Sequence, residues 1–151
     1  MTGLRGGTPF ELVASAAPTH PVTKRELVAV SRTIEREALA DPPPAIAACL
    51  QDSRFLTDRT RAVYAQLAEA GCPGRLHGRG MQSWLAPGVS GVSLDDDDPL
   101  VDEWVIVVPG RVLFAATDLH EVGLDDDARA FRYAVVRDPD AVSAATRLLG
   151  L

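Results

Sequence analysis

The chain is short of thiols, aromatic residues and lysine: it has two cysteines, 5% aromatic residues and a single lysine, Lys24, among 15 basic residues. Two cysteines exclude a secreted disulfide scaffold, and Cys49 and Cys72 each lie in or beside an apolar segment, which reads as reduced thiols used for packing. The longest apolar run, Trp104 to Pro109, is far below the roughly 18 residues of a membrane span, so no membrane partner is expected. The first residues lack a basic region followed by an apolar one, and a cytoplasmic protein is expected. A basic footprint is missing as well: the net charge is −6. That argues against direct binding of nucleic acid, which begins with phosphate neutralisation. The preference for arginine over lysine, with abundant Ala, Asp, Pro and Gly, reads as the codon bias of a GC-rich genome.

Motifs of catalysis are scarce too. Neither Cys-x-x-Cys nor His-Glu-x-x-His occurs, so a structural zinc site is not expected. Gly88-Val89-Ser90-Gly91 falls one residue short of a nucleophile elbow. Cys49, inside an apolar strand, should have its thiol pKa raised, which suits packing and not attack. Asp95 to Asp98 lacks the alternation, central glycine and closing glutamate of a calcium loop. Such adjacent carboxylates repel one another, and this run and Asp125 to Asp127 read as solvated turns. No catalytic residues, metal or cofactor are assigned, and the chain is not expected to be an enzyme.

What is present is the composition of a globular domain, with 46% apolar and 24% charged residues over 151 positions, enough for one hydrophobic core and too few for two. Residues 1–7 are small and polar and read as a frayed segment; 8–151 reads as a single domain. Thr8-Pro9-Phe10-Glu11 and Thr23-Lys24-Arg25-Glu26 both have capping-box spacing, opening helices to about Ala16 and Ala40. Thr57 caps a third helix ending near Gly71, and Pro139 to Leu149 is an amphipathic closing helix. Strands are predicted over 45–50, 75–81, 89–94, 103–108, 111–117 and 131–136, the last near an edge. Pro109-Gly110 is a turn between two strands buried on both faces. The expected fold is α/β of the α+β kind: one mixed, largely antiparallel sheet of five to six strands with helices packed on its faces.

Helical phasing singles out two polar residues. With Leu27 at zero, Ser31 falls at about 40° and Glu35 at about 80°, inside the apolar stripe, whereas Arg25, Arg32, Thr33 and Arg36 take the opposite arc. A buried carboxylate must be protonated, paired or bound to something. Arg75, His77, Arg79, Arg111 and Arg137 are candidate partners, and Ser31 and Glu35, one turn apart, are placed to share one. Two readings stay open: Glu35 as a structural latch to an arginine, or Ser31 and Glu35 as the lining of a ligand cavity. His77-Gly78-Arg79-Gly80 is a second candidate. Its glycines permit close approach of a ligand or of another backbone, and Arg79 suits a carboxylate or phosphate; a strand end with a bulge is the plainer alternative. Trp84, in a loop, is placed either to contact a ligand or partner or to cover the apolar face, whereas Trp104, heading a buried strand, reads as core. The candidate ligand-binding set is therefore Ser31, Glu35, His77, Arg79 and Trp84.

The segment Leu27 to Glu35, containing Ser31-Arg32-Thr33-Ile34-Glu35, resembles the corresponding helix of the DICT sensory domain, named for its association with diguanylate cyclases and two-component systems. Phe55, Thr60, Arg61 and Tyr64, then Gly88-Val89-x-Gly91-Val92, Asp98-Pro99-Leu100, Glu103 to Val108, Phe114-Ala115-Ala116, Phe131-x-Tyr133 and Arg137 to Val142 continue the likeness in order. The resemblance implies a non-catalytic signal-input module of a bacterial signalling system, linked by domain company to light responses. It also implies an output partner: a kinase, a cyclic-di-nucleotide enzyme or a helix-turn-helix transcription regulator. With no output domain before Leu151, the signal is expected to pass to a separate protein, unless the chain is an excised domain. A homodimer through helix faces fits as well, as does a pure protein-protein interaction module. The resemblance carries over no ligand and no catalytic residue.

Overall fold

The computed structural model describes residues 7–151; apart from Gly7, the segment expected to fray lies outside the described residues. Both capping boxes close: Thr8 and Glu11 open α1 (Pro9–Ala16), and Thr23 and Glu26 open α2 (Lys24–Ala40). Thr57 accepts the Thr60 amide at the start of α3 (Asp58–Glu69), and Asp138 accepts that of Ala141 at the start of α4 (Pro139–Leu148). Each cap satisfies an amide that the first helical turn leaves without a partner.

The strands are β1 (His20–Thr23), β2 (Ile46–Asp52), β3 (Gly74–Arg79), β4 (Trp84–Ala86), β5 (Val89–Ser93), β6 (Glu103–Val108), β7 (Val112–Asp118) and β8 (Ala130–Val136). They form a single eight-stranded sheet in the order β1-β8-β7-β6-β2-β3-β5-β4, so the expected five to six strands are corrected upward. The two unexpected strands, β1 and β4, are the two edges of the sheet and span only four and three residues. Strands so short carry no periodic signature, and β1 contains Pro21, which is tolerated at an edge because one side of the strand needs no donor. β3 runs parallel to β2 and to β5, and the remaining pairs are antiparallel. Between β6 and β7 the chain reverses at Pro109-Gly110, where Gly110 has φ 73° and the Arg111 amide donates to the Val108 carbonyl at 2.9 Å.

Alternation along the strands divides the core. Ile46, Ala48, Leu50, Leu76, Ile106 and Phe114 meet α2 and α3 on one face; Ala47, Cys49, Val105, Val107, Leu113 and Ala115 meet α1 and α4 on the other. The parity of a strand residue therefore decides which helices its side chain can reach.

Candidate functional site

On the α2–α3 face the helices do not close over the sheet completely. A cleft of about 620 Å³ remains between them, floored by Leu50, Trp104 and Ile106, with Val28, Ser31, Arg32 and Glu35 of α2 on one wall and Thr57, Arg59 and Thr60 at the start of α3 on the other. Its volume is that of an ordinary small-molecule site. It lies at the carboxyl end of β2, where the chain leaves the sheet through the 3-10 turn Ser53–Phe55 to enter α3.

Glu35 is 7% exposed and Ser31 5%, as their phase on α2 predicts. They do not share a partner. The Ser31 hydroxyl donates within its own helix, to the carbonyls of Leu27 (3.0 Å) and Val28 (3.1 Å). Glu35 forms no ion pair among the described residues. Burial raises its pKa above the ordinary value, against the opposing pull of the Tyr64 hydroxyl, Arg59 and Arg32. The fully buried Tyr64 hydroxyl faces this carboxyl without closing to hydrogen-bond geometry and has no other partner among the described residues.

None of the five partners expected for Glu35 reaches it, and strand parity explains three of them. Arg75, His77 and Arg79 occupy alternate positions on β3, facing away from α2, while the intervening Leu76 faces the α2–α3 core. His77 Nε2 donates to the Leu149 carbonyl at 3.1 Å and ties β3 to the end of α4, and burial lowers its pKa. Arg79 pairs with Asp52 at 3.6 Å, Arg111 with Asp41, and Arg137 with Glu37. Gly78 serves the chain's own packing, since a Cβ there would meet Met81 Cε at 2.9 Å and the Asp52 backbone at 3.4 Å. Trp84 is 67% exposed on the edge strand β4. The structure thus brings Ser31 and Glu35 together in the cleft and places His77, Arg79 and Trp84 elsewhere.

Several lining residues were not legible as such in the sequence. Trp104, expected in the core, is half-buried and meets Phe131 edge-on, with centroids 6.3 Å apart, while also flooring the cleft. Phe55 is a platform for cations: Lys24 Nζ lies 4.3 Å, Arg54 Cζ 4.8 Å and Arg129 Cζ 5.0 Å from its ring centroid. The available signal was the density of arginines around Phe55 and the Thr57 cap. Asp125 to Asp127 is exposed, as a solvated turn should be, yet it is also tethered: Asp126 pairs with Lys24 and Arg129, and Asp127 with Arg25 at 3.7 Å. This brings Asp126 and Asp127 to the mouth of the cleft.

Behind the mouth a polar strut fixes the end of β2. Gln51 adopts φ 71°, a left-handed conformation that a non-glycine residue holds only when its surroundings impose it. Its side chain donates to Val101 O and Asp118 Oδ2, both at 3.3 Å, and accepts from Arg129 at 3.2 Å. Arg129 also pairs with Asp118. Burial pushes the Asp118 pKa up, but the His120 amide, Arg129 and Gln51 together outweigh it and hold the pKa below its ordinary value. Outside the cleft, burial pushes the Cys49 thiol up to about 12. Among the described residues no His, Cys, Asp or Glu cluster could hold a metal ion, and no helix is long and apolar enough to cross a membrane.

Comparison with known families gives a match over residues 11–117 to DICT, described as a sensory domain in diguanylate cyclases and two-component systems. The chain belongs to the DICT family. The matched part of this DICT domain includes α2, β2, α3 and β6, the elements that build the cleft, and stops short of Asp126 and Asp127. A search of curated proteins gave no match. Among solved structures the DICT domain is similar to TrmBL2, described as an archaeal chromatin protein with a novel mode of DNA binding, at 13% identity and a TM-score of 0.53. The match covers 92% of this chain and 55% of that one, so the DICT domain spans about half of TrmBL2's length. At that identity the likeness concerns the fold alone.

Proposed function

We propose that this DICT domain is a non-catalytic cytoplasmic sensor that takes up a small molecule between α2 and α3 and reports its presence to a separate signalling protein. The observation that carries this reading is Glu35, a buried carboxylate that lines an open cleft and has no ion-pair partner among the described residues. A structural latch would have an arginine there; a ligand site keeps the group free at a cost in stability. Ser31, whose hydroxyl oxygen can still accept a hydrogen bond, stands beside it.

Transmission needs a segment that touches both the cleft and the surface. The acidic segment Asp125–Asp127 is such a segment, held to α2 by Lys24 and Arg25. It continues directly from the β7–β8 loop, which exposes Leu119, Val122 and Leu124, with Val122 at 93%. A ligand that engages Lys24 or displaces Asp126 shifts the population of loop positions, and a partner binding these apolar side chains reads the shift. The partner is a kinase, a cyclic-di-nucleotide enzyme or a transcription regulator. The same exposed side chains favour a second reading, an interaction module that has no ligand.

Protein purified from its own host tests the choice by native mass spectrometry and absorption spectroscopy. The sensor reading predicts a retained small molecule that is lost in Val28→Trp, a substitution that fills the cleft wall; a chromophore would add visible absorption. A ligand-free mass with a co-purifying protein, unchanged by Val28→Trp, would favour the interaction module.

A further inference from the structure

The walls of the cleft also bear on what it binds. Arg32, Arg54 and Arg59 line it from α2, the Ser53–Phe55 turn and α3, and none of the three forms an ion pair among the described residues. Other arginines, such as Arg36 and Arg147, form none either; what distinguishes these three is that they line one cleft. The acidic residues at the mouth do not account for them, because Asp126 and Asp127 are engaged by Lys24, Arg25 and Arg129. Arg54 is held in place over the Phe55 ring. Thr57 and Thr60, the cap and first turn of the 12-residue α3, bring a helix N-terminus to the same opening. Guanidinium groups that line one cleft beside a helix N-terminus and form no ion pair among the described residues suit a multiply charged anion, phosphate above all.

The floor has the opposite character. Leu50, Ile106 and the half-buried indole of Trp104 offer an apolar surface on which a planar ring can lie. Glu35, which also lines the cleft and has no ion-pair partner among the described residues, can pair with ring nitrogens or an exocyclic amine, as carboxyl groups do with bases.

We infer that the ligand of the α2–α3 cleft is an aromatic phosphate, its ring on Trp104 beside Glu35 and its phosphate held by Arg32, Arg54 and Arg59. This rests on the sensor reading and makes it more specific.

Calorimetric titration of the full chain with adenosine 5′-monophosphate, uridine 5′-monophosphate and 1-naphthyl phosphate, each against adenosine, uridine or 1-naphthol, tests the inference. At least one phosphate is expected to bind at least about tenfold more tightly than its dephosphorylated counterpart. That preference should vanish in Arg32→Ala/Arg59→Ala, two exposed positions, with a cooperative melting transition showing that the variant is folded. Binding of both sets with equal affinity, or a preference that survives the double variant, would overturn the aromatic phosphate while leaving the cleft a ligand site. Binding by neither set would overturn it as well. A molecule retained from the host and lost in Val28→Trp would then show that the sensor reading still stands, whereas the absence of any such molecule would end both.

Discussion

Gly91→Ala is expected to lower folding stability by about 3 kcal/mol, the upper part of the range for forcing atoms into a filled space. Gly91 lies on β5, where its amide donates to the Ser83 carbonyl at 2.9 Å. A Cβ on Gly91 would stand 1.9 Å from the Gln82 carbonyl oxygen, 2.7 Å from Met81 Cγ and 3.1 Å from the Gln82 carbonyl carbon. Two of those atoms are backbone, so relief requires moving the chain that leads into β4, whose one strand partner is β5 and whose Leu85 carbonyl is held by the Arg61 side chain at 2.9 Å. Gly78→Ala makes the useful contrast. Its closest clash, at 2.9 Å, is with the terminal methyl of Met81, which can rotate away, so its loss should be clearly smaller. Urea unfolding of the two variants checks this; a Gly91→Ala protein as stable as the parent would mean that residues 81–83 do not press on β5.

A dependence of stability on pH opposite to that of most carboxylates is expected from Glu103. This residue, at the start of β6, is 5% exposed, and its Oε1 accepts the Phe10 amide at 2.8 Å in the first turn of α1. Burial pushes its pKa from the ordinary 4.5 up to about 7, with Glu11 and Asp102 adding to the rise and bonds from Thr8 and Phe10 opposing it. The folded protein therefore holds a proton that the unfolded chain has released. The corresponding stability is fully present below pH 4.5 and is lost as pH rises through about 7, and Glu35 shifts in the same direction. From the size of the Glu103 shift, the loss is about 3 kcal/mol. Glu103→Gln keeps the acceptor for Phe10 and removes the titration, so it should flatten the decline and be more stable than the parent at about pH 7.5. Denaturant unfolding from about pH 5 to about pH 8 checks it. An equal slope in parent and variant would show that Glu103 ionises freely in the folded state.

What the sequence made legible follows the range of the interactions involved. The capping boxes at Thr8 and Thr23, the Pro109-Gly110 turn and the apolar strands 103–108 and 111–117 are set by neighbours in the chain and match the structure closely. Edge strands β1 and β4 are set by the strands they join, and four or three residues carry too little pattern to announce them. The burial of Ser31 and Glu35 was readable because a helix has a fixed period. The lack of an arginine partner for Glu35 was not readable, because it depends on the phase of β3, a different element, which turns Arg75, His77 and Arg79 to the opposite face. The pairing of Asp126 with Lys24, 102 positions apart, was hidden for the same reason. Trp104 looked like core because a sequence cannot tell a closed helix–helix interface from one that leaves a cleft above the same apolar residue.

Glu35 as a free carboxylate facing a ligand cleft, rather than a latch between α2 and the sheet, is tested by the unfolding free energy of Glu35→Gln at about pH 7.5. Removing a buried carboxylate that has no ion-pair partner among the described residues should leave the protein as stable as its parent or stabilise it by about 1 kcal/mol. A loss of about 3–5 kcal/mol would reveal an ion-pair partner left buried and alone, and would contradict the cleft as a binding site built around Glu35.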